Sequence, residues 1–97
     1  MHLISRKKLI EFWMKYRDAE DPLKAWAKEV EHAEWRTSND VVAHYNTADP
    51  IKNNRVVFNI KHNDYRIVVQ IHYNTQIVFI RFIGTHKQYD KIDAEKI

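Results

Sequence analysis

The apolar residues change period at Arg55, and that change limits what the chain can fold into. Before it they recur at helical spacing; after it they alternate or run on, as strands do. In the first half, Leu9, Phe12, Trp13 and Tyr16 fall at i, i+3, i+4 and i+7, the spacing of one buried helical face. Ser5 precedes them as a good N-cap. Leu23, Trp26, Ala27 and Val30 repeat the spacing after Asp21-Pro22, which offers a capping side chain and then a proline suited to the first helical position. A short turn around Ala19 to Asp21 predicts an antiparallel hairpin of these two helices. Ser38-Asn39-Asp40 opens a third helical stretch with Val41, Val42 and Tyr45. Residues 2–4 can form a short opening strand, and Asn46 to Pro50 reads as a loop.

From Arg55 the pattern is that of strands. Arg55 to Ile60 is rich in Val, Phe and Ile, and His62-Asn63-Asp64 is a turn. Tyr65, Ile67, Val69, Ile71 and Tyr73 then alternate with Arg66, Val68, Gln70 and His72, so the two sets lie on opposite faces of one strand. Asn74-Thr75-Gln76 turns again, and Ile77 to Gly84 is apolar at nearly every position. Short connections predict an antiparallel meander of these strands, and the apolar third strand predicts a central one covered on both faces. Helices followed by strands give an α+β fold: N-terminal helices packed on one face of a small twisted antiparallel sheet, in a single domain over residues 1–97.

Composition narrows the chemistry. The chain has no cysteine, which excludes disulfides and thiolate metal sites and favours an intracellular location. No apolar run approaches the ~18 residues of a membrane span, and the basic N-terminus lacks the apolar region of a signal peptide. The net charge of +3 permits a polyanionic partner without requiring one. Gly84 is the only glycine, so no glycine-rich phosphate loop exists. Neither Ser5 nor Ser38 lies in a nucleophile elbow. Six histidines are present, but none has the i, i+4 or clustered spacing of metal ligands, so no metal is expected.

The chemistry-bearing residues gather late in the chain. Just past the strand ending at Gly84 come Thr85, His86, Lys87, Tyr89 and Asp90. Arg66 sits on the polar face of the preceding strand, where it is either a solvated surface residue or a planar clamp for phosphate oxygens. Arg81 interrupts an apolar strand and needs a partner, for which a carboxylate such as Asp90 is available. His86 is the natural proton-transfer group near neutral pH. Tyr89 can position a base, and Lys61 and Lys87 can help neutralise phosphate.

These stretches carry a resemblance. The opening HLISRKKLIEFW, the segment AWAKEVEHAEW (Ala25 to Trp35), the strands NRVVFNI and YRIVVQI, and above all IRFIGTH followed by YDKID resemble the HigB-type toxins of bacterial type II toxin–antitoxin systems, within the RelE-like group. The resemblance spans nearly the whole chain; one departure is that His62-Asn63-Asp64 occupies a turn where relatives often carry glycine. It implies a RelE-like fold and a cytoplasmic bacterial endoribonuclease that cuts mRNA, typically on the ribosome, and so inhibits translation. It also implies a HigA-type helix-turn-helix antitoxin as partner, and no membrane partner. No cofactor is implied: the cut would be a metal-free transfer to the neighbouring 2′-hydroxyl. By the same resemblance Arg66, His86 and Tyr89 are the catalytic positions. Lys61, Arg81, Lys87 and Asp90 would bind substrate. Two other readings stay open at this point: an RNA- or ribosome-binding module without catalysis, and a plain interaction domain whose polar cluster is an ion-pair network.

Overall fold

The computed structural model describes all 97 residues, in an α+β arrangement of helices against a five-stranded sheet. In chain order the elements are β1 (His2–Ile4), α1 (Arg6–Lys15), a 3-10 turn (Arg17–Ala19), α2 (Glu20–His32), α3 (Ser38–His44), β2 (Asp49–Ile51), β3 (Arg55–Ile60), β4 (Tyr65–His72), β5 (Ile77–Thr85) and α4 (His86–Tyr89). The sheet order is β1-β5-β4-β3-β2. The β3-β4-β5 meander is antiparallel as the short turns require. β1, however, runs parallel to β5, so the sheet is mixed rather than antiparallel. A short opening strand can dock on the sheet edge in either direction, and local pattern does not say which.

The N-terminal helices cover one face. Leu9 of α1, Leu23, Trp26, Ala27 and Val30 of α2, and Val41 of α3 join Val56, Phe58, Ile67, Val69, Ile71 and Ile80 of the sheet in one core of 19 buried residues. Each such large side chain, removed from water, contributes on the order of 1.5–3 kcal/mol. Tyr65, Ile67, Val69 and Ile71 are buried on this side, as their alternation dictates.

The opposite face is only partly covered. After α4 the chain folds back across it, and Tyr89, Ile92, Ala94 and Ile97 pack on Ile51, Val57, Val68 and Phe82. Arg55 fastens this return by donating hydrogen bonds from Nε and Nη2 to the main-chain oxygen of Ile97. The rest of the face, towards β1, keeps Phe79 and His72 half-exposed and Arg81 exposed.

Several local expectations are corrected. Ser5 lies at φ 75° in the left-handed region and makes no side-chain cap. α2 begins at Glu20, ahead of Asp21-Pro22; Pro22 falls within the first turn, where its missing N–H costs nothing. The interhelical turn is correspondingly earlier, at Arg17–Ala19. The segment read as loop contains β2, an edge strand that tolerates Pro50 because an edge position can spare one ladder donor. The middle strand is β4; β5 lies second from the edge, paired with β1 only from Ile77 to Phe79. Its double-sided apolar character has another source: Phe79 and Phe82 furnish aromatic surface on the less covered face.

Candidate active site on the less covered face of the sheet

Arg66 occupies β4 directly between Asn59 of β3 and Gly84 of β5. The alternation that buries Tyr65 and Ile67 among the helices sends Arg66 to the opposite face. There its guanidinium carbon stands 4.8 Å from the centroid of the Tyr89 ring, a cation–π contact. Its Nε is buried and meets no hydrogen-bond partner within the chain, and neither does Oδ1 of neighbouring Asn59. No carboxylate forms an ion pair with Arg66, whereas Arg6, Arg17, Lys24 and Lys61 all have one. A half-buried guanidinium without a counter-ion is costly, and an anionic group brought to it relieves that cost. Arg66 is thus half-buried, with its Nε shut away from water and its charge unpaired within the chain.

Gly84 makes the arrangement possible. A Cβ there would come within 2.5 Å of Phe82 Cζ and 2.8 Å of Gln88 Oε1, so the space beside Arg66 is already taken by those two side chains. Thr85 then ends the strand and starts α4. Its hydroxyl accepts from the Gln88 N–H at 3.2 Å, while Gln88 Oε1 accepts from the Thr85 N–H at 2.9 Å. This reciprocal capping box fixes how α4 leaves the sheet. The T-x-x-Q spacing is visible in the sequence, and it is the signal that would have given Thr85 and Gln88 their structural role.

α4 carries the other two catalytic candidates. His86 follows Thr85, whose Cα is paired with that of Tyr65, so the imidazole starts from the same end of the sheet as Arg66. Its Nδ1 lies 3.3 Å from Asp90 Oδ2, one helical turn on, and Nε2 has no partner within the chain. A carboxylate held against Nδ1 orients the ring and leaves Nε2 for proton exchange. Tyr89 lies over Arg66 and also 6.4 Å from the Phe82 ring. Lys87 is exposed on the same short helix.

Two of the expected substrate-binding residues are engaged elsewhere. Lys61 donates to Asp18 Oδ2 at 2.6 Å, across to the 3-10 turn on the helical side. Lys61 and His62 both take positive φ, 52° and 64°, and this turn geometry aims Lys61 there. The Asp18 carboxyl is held below the usual range by Lys61 and then by the Tyr65 hydroxyl. The Tyr65 hydroxyl is pushed up to about 12, chiefly by its hydrogen bond to Asp18. Arg81 does not pair with Asp90; it binds Gln70 Oε1 instead, and Asp90 is taken by His86. Sequence reading gave no role to Asn59, although a polar residue interrupting RVVFNI was its signal. No group of three or more His, Cys, Asp or Glu side chains converges anywhere in the chain.

Comparison with known proteins follows the same outline. A family model described as the RelE-like toxic component of a toxin–antitoxin system, HigB toxin, matches residues 19–92, a span that includes Arg66, His86 and Tyr89. The mRNA interferase toxin HigB of Escherichia coli strain K12 is 29% identical over 96 residues, which covers 97% of this chain and 92% of that protein. The mRNA interferases HigB of Escherichia coli O157:H7 and Shigella flexneri match with the same identity and coverage.

Proposed function

The chain belongs to the HigB toxin family, the RelE-like toxic components of toxin–antitoxin systems, and on that premise we propose that it is an endoribonuclease cutting messenger RNA at a site built from Arg66, His86 and Tyr89. The observation that carries this reading is the uncompensated guanidinium of Arg66, half-buried under Tyr89 on a rigid strand beside the helix that bears His86. A fixed cation without a counter-ion is what a phosphodiester in transition needs.

The reaction is transfer to the neighbouring 2′-hydroxyl. The 2′-oxygen forms a bond to phosphorus as the bond to the 5′-oxygen breaks, leaving a 2′,3′-cyclic phosphate and a free 5′-hydroxyl. One proton leaves the 2′-hydroxyl and one reaches the departing 5′-oxygen; no metal takes part. Arg66 faces the phosphoryl oxygens as their negative charge grows. His86, steadied by Asp90 through Nδ1, performs one of the two proton transfers through Nε2, a role worth about 10²–10⁴ in rate. Tyr89 holds the guanidinium against the sheet and offers its ring edge to the nucleotide. The need for a 2′-hydroxyl makes the activity specific for RNA.

As the toxin of a toxin–antitoxin pair, the chain has an antitoxin as its partner; we take that antitoxin to be of the HigA type, with a helix-turn-helix fold, and the cutting to occur on ribosome-bound message in the bacterial cytoplasm. Lys87 adds positive charge at the rim of the site. Induction in bacteria with and without the antitoxin, followed by mapping of transcript 5′ ends, tests the reading. Discrete new 5′-hydroxyl ends that vanish with Arg66→Ala support it. Arrested translation without new ends would replace it with a non-catalytic RNA binder.

A further inference from the structure

A second group of side chains lies on the same face, four residues along β4 from Arg66, or about 13 Å. Its origin is a register shift. Val68 pairs with Phe82 but Val69 pairs with Ile80, so Arg81 is the extra residue of a β-bulge. Bulges re-aim side chains, and this one turns an arginine out of an apolar strand onto its less covered face. There Arg81 donates from Nε and Nη2 to Gln70 Oε1 at 3.1 and 2.5 Å. Its guanidinium carbon stands 5.4 Å from the Phe79 ring centroid, and His72 meets that ring edge-on at 5.3 Å. Gln70 and Phe79 are register partners, so the three side chains form one compact stack on two adjacent strands.

We propose that Arg81, held by Gln70 and backed by Phe79, is a stacking subsite for an unpaired nucleobase of the RNA, flanking the nucleotide that is cut. This rests on the reading of the Arg66 site as RNA-cleaving. A residue that only attracted phosphate would need neither the neutral amide that fixes its orientation nor the aromatic ring beneath it. No carboxylate forms an ion pair with Arg81 either, so its full charge stays available. Bases stack on guanidinium planes as they do on aromatic rings, and such contacts tolerate any base. Phe82 lies between this group and Tyr89, and continues the aromatic surface from one to the other.

The test is binding of a short, fully 2′-O-methylated RNA, which lacks the attacking hydroxyl, and of a series carrying one abasic nucleotide at each position in turn. Wild-type protein should lose roughly 5- to 150-fold in affinity at one abasic position. Arg81→Lys, which keeps the charge, should bind the intact RNA with a comparable loss and be indifferent to that abasic position, at unchanged unfolding midpoint. Arg81→Lys binding the intact RNA as tightly as wild type, or remaining as sensitive as wild type to every abasic position, would overturn the proposal. Cleavage of unmodified RNA by the wild type is followed in parallel. Cutting without the Arg81 effect removes the stacking subsite alone, whereas absence of cutting on ribosome-bound as well as free RNA removes the nuclease reading.

Discussion

Gly84→Ala should loosen α4 and slow catalysis together. The added methyl would stand 2.5 Å from Phe82 Cζ and 2.8 Å from Gln88 Oε1. Neither neighbour can yield freely. The Phe82 ring packs against the small cluster of Val57, Val68 and Ala94 and lies 6.4 Å from the Tyr89 ring. Gln88 Oε1 is committed to the Thr85 N–H at 2.9 Å. Displacing the ring is an overpacking event, costing about 1–3 kcal/mol, and moving Gln88 forfeits part of a cap worth about 1 kcal/mol. Taking the lower end, a loss of about 1.5 kcal/mol should bring the melting temperature down by roughly 6–12 °C in a domain of this size. Thermal or urea unfolding measures it. Assayed well below that temperature, the folded variant should still cleave RNA slowly, because Tyr89 and His86 ride on the displaced helix. Phe82→Leu added to Gly84→Ala should restore part of the stability by relieving the closer contact. An unfolding midpoint within about 1 °C of wild type together with a full cleavage rate would refute the reasoning.

The other predictions are simpler. Thr85→Ala should destabilise by about 1 kcal/mol through loss of the cap, measured by urea unfolding, and should lower the cleavage rate more than a cap elsewhere, such as Thr37, would. The Tyr65 hydroxyl titrates higher folded than unfolded because of Asp18, so its contribution is complete below pH ~10 and is lost as pH rises towards about 12. Tyr65→Phe should therefore flatten the fall in stability over that alkaline window, followed by unfolding at stepped pH; an unchanged slope would refute the link. Asp18, whose carboxyl is depressed by Lys61 and Tyr65, acts at the other end: its contribution fades as pH drops below ~4, and Asp18→Asn should lessen the acid sensitivity.

How much of this was legible beforehand depends on whether the cause was local. The strand Tyr65–His72 and the position of Arg66 on its less covered face follow from strict alternation, which is a property of neighbouring residues. The buried helical faces with Leu9, Leu23, Trp26, Ala27 and Val30 follow likewise from spacing. What depends on distant segments was not legible. The parallel direction of β1 is set by its docking on Ile77 to Phe79, some seventy residues on. Arg81 looked like an arginine in need of a carboxylate because the bulge that frees it exists only in the register between β4 and β5. The pairing of Lys61 with Asp18 was hidden because the two lie 43 residues apart. Gly84 was noted as a strand end, but the need for its bareness comes from Phe82 and Gln88 folding back over it.

The claim that Arg66 and His86 act on one scissile linkage can be measured as a kinetic coupling. Single-turnover cleavage of a defined, ribosome-bound RNA would be compared for wild type, Arg66→Ala, His86→Ala and the double variant, each first shown to unfold like wild type. If the two groups serve one transition state, each single substitution should cost on the order of 10²-fold or more, and the double should be little slower than the worse single. Losses that multiply in the double variant, or a single variant that cuts at the wild-type rate, would contradict it.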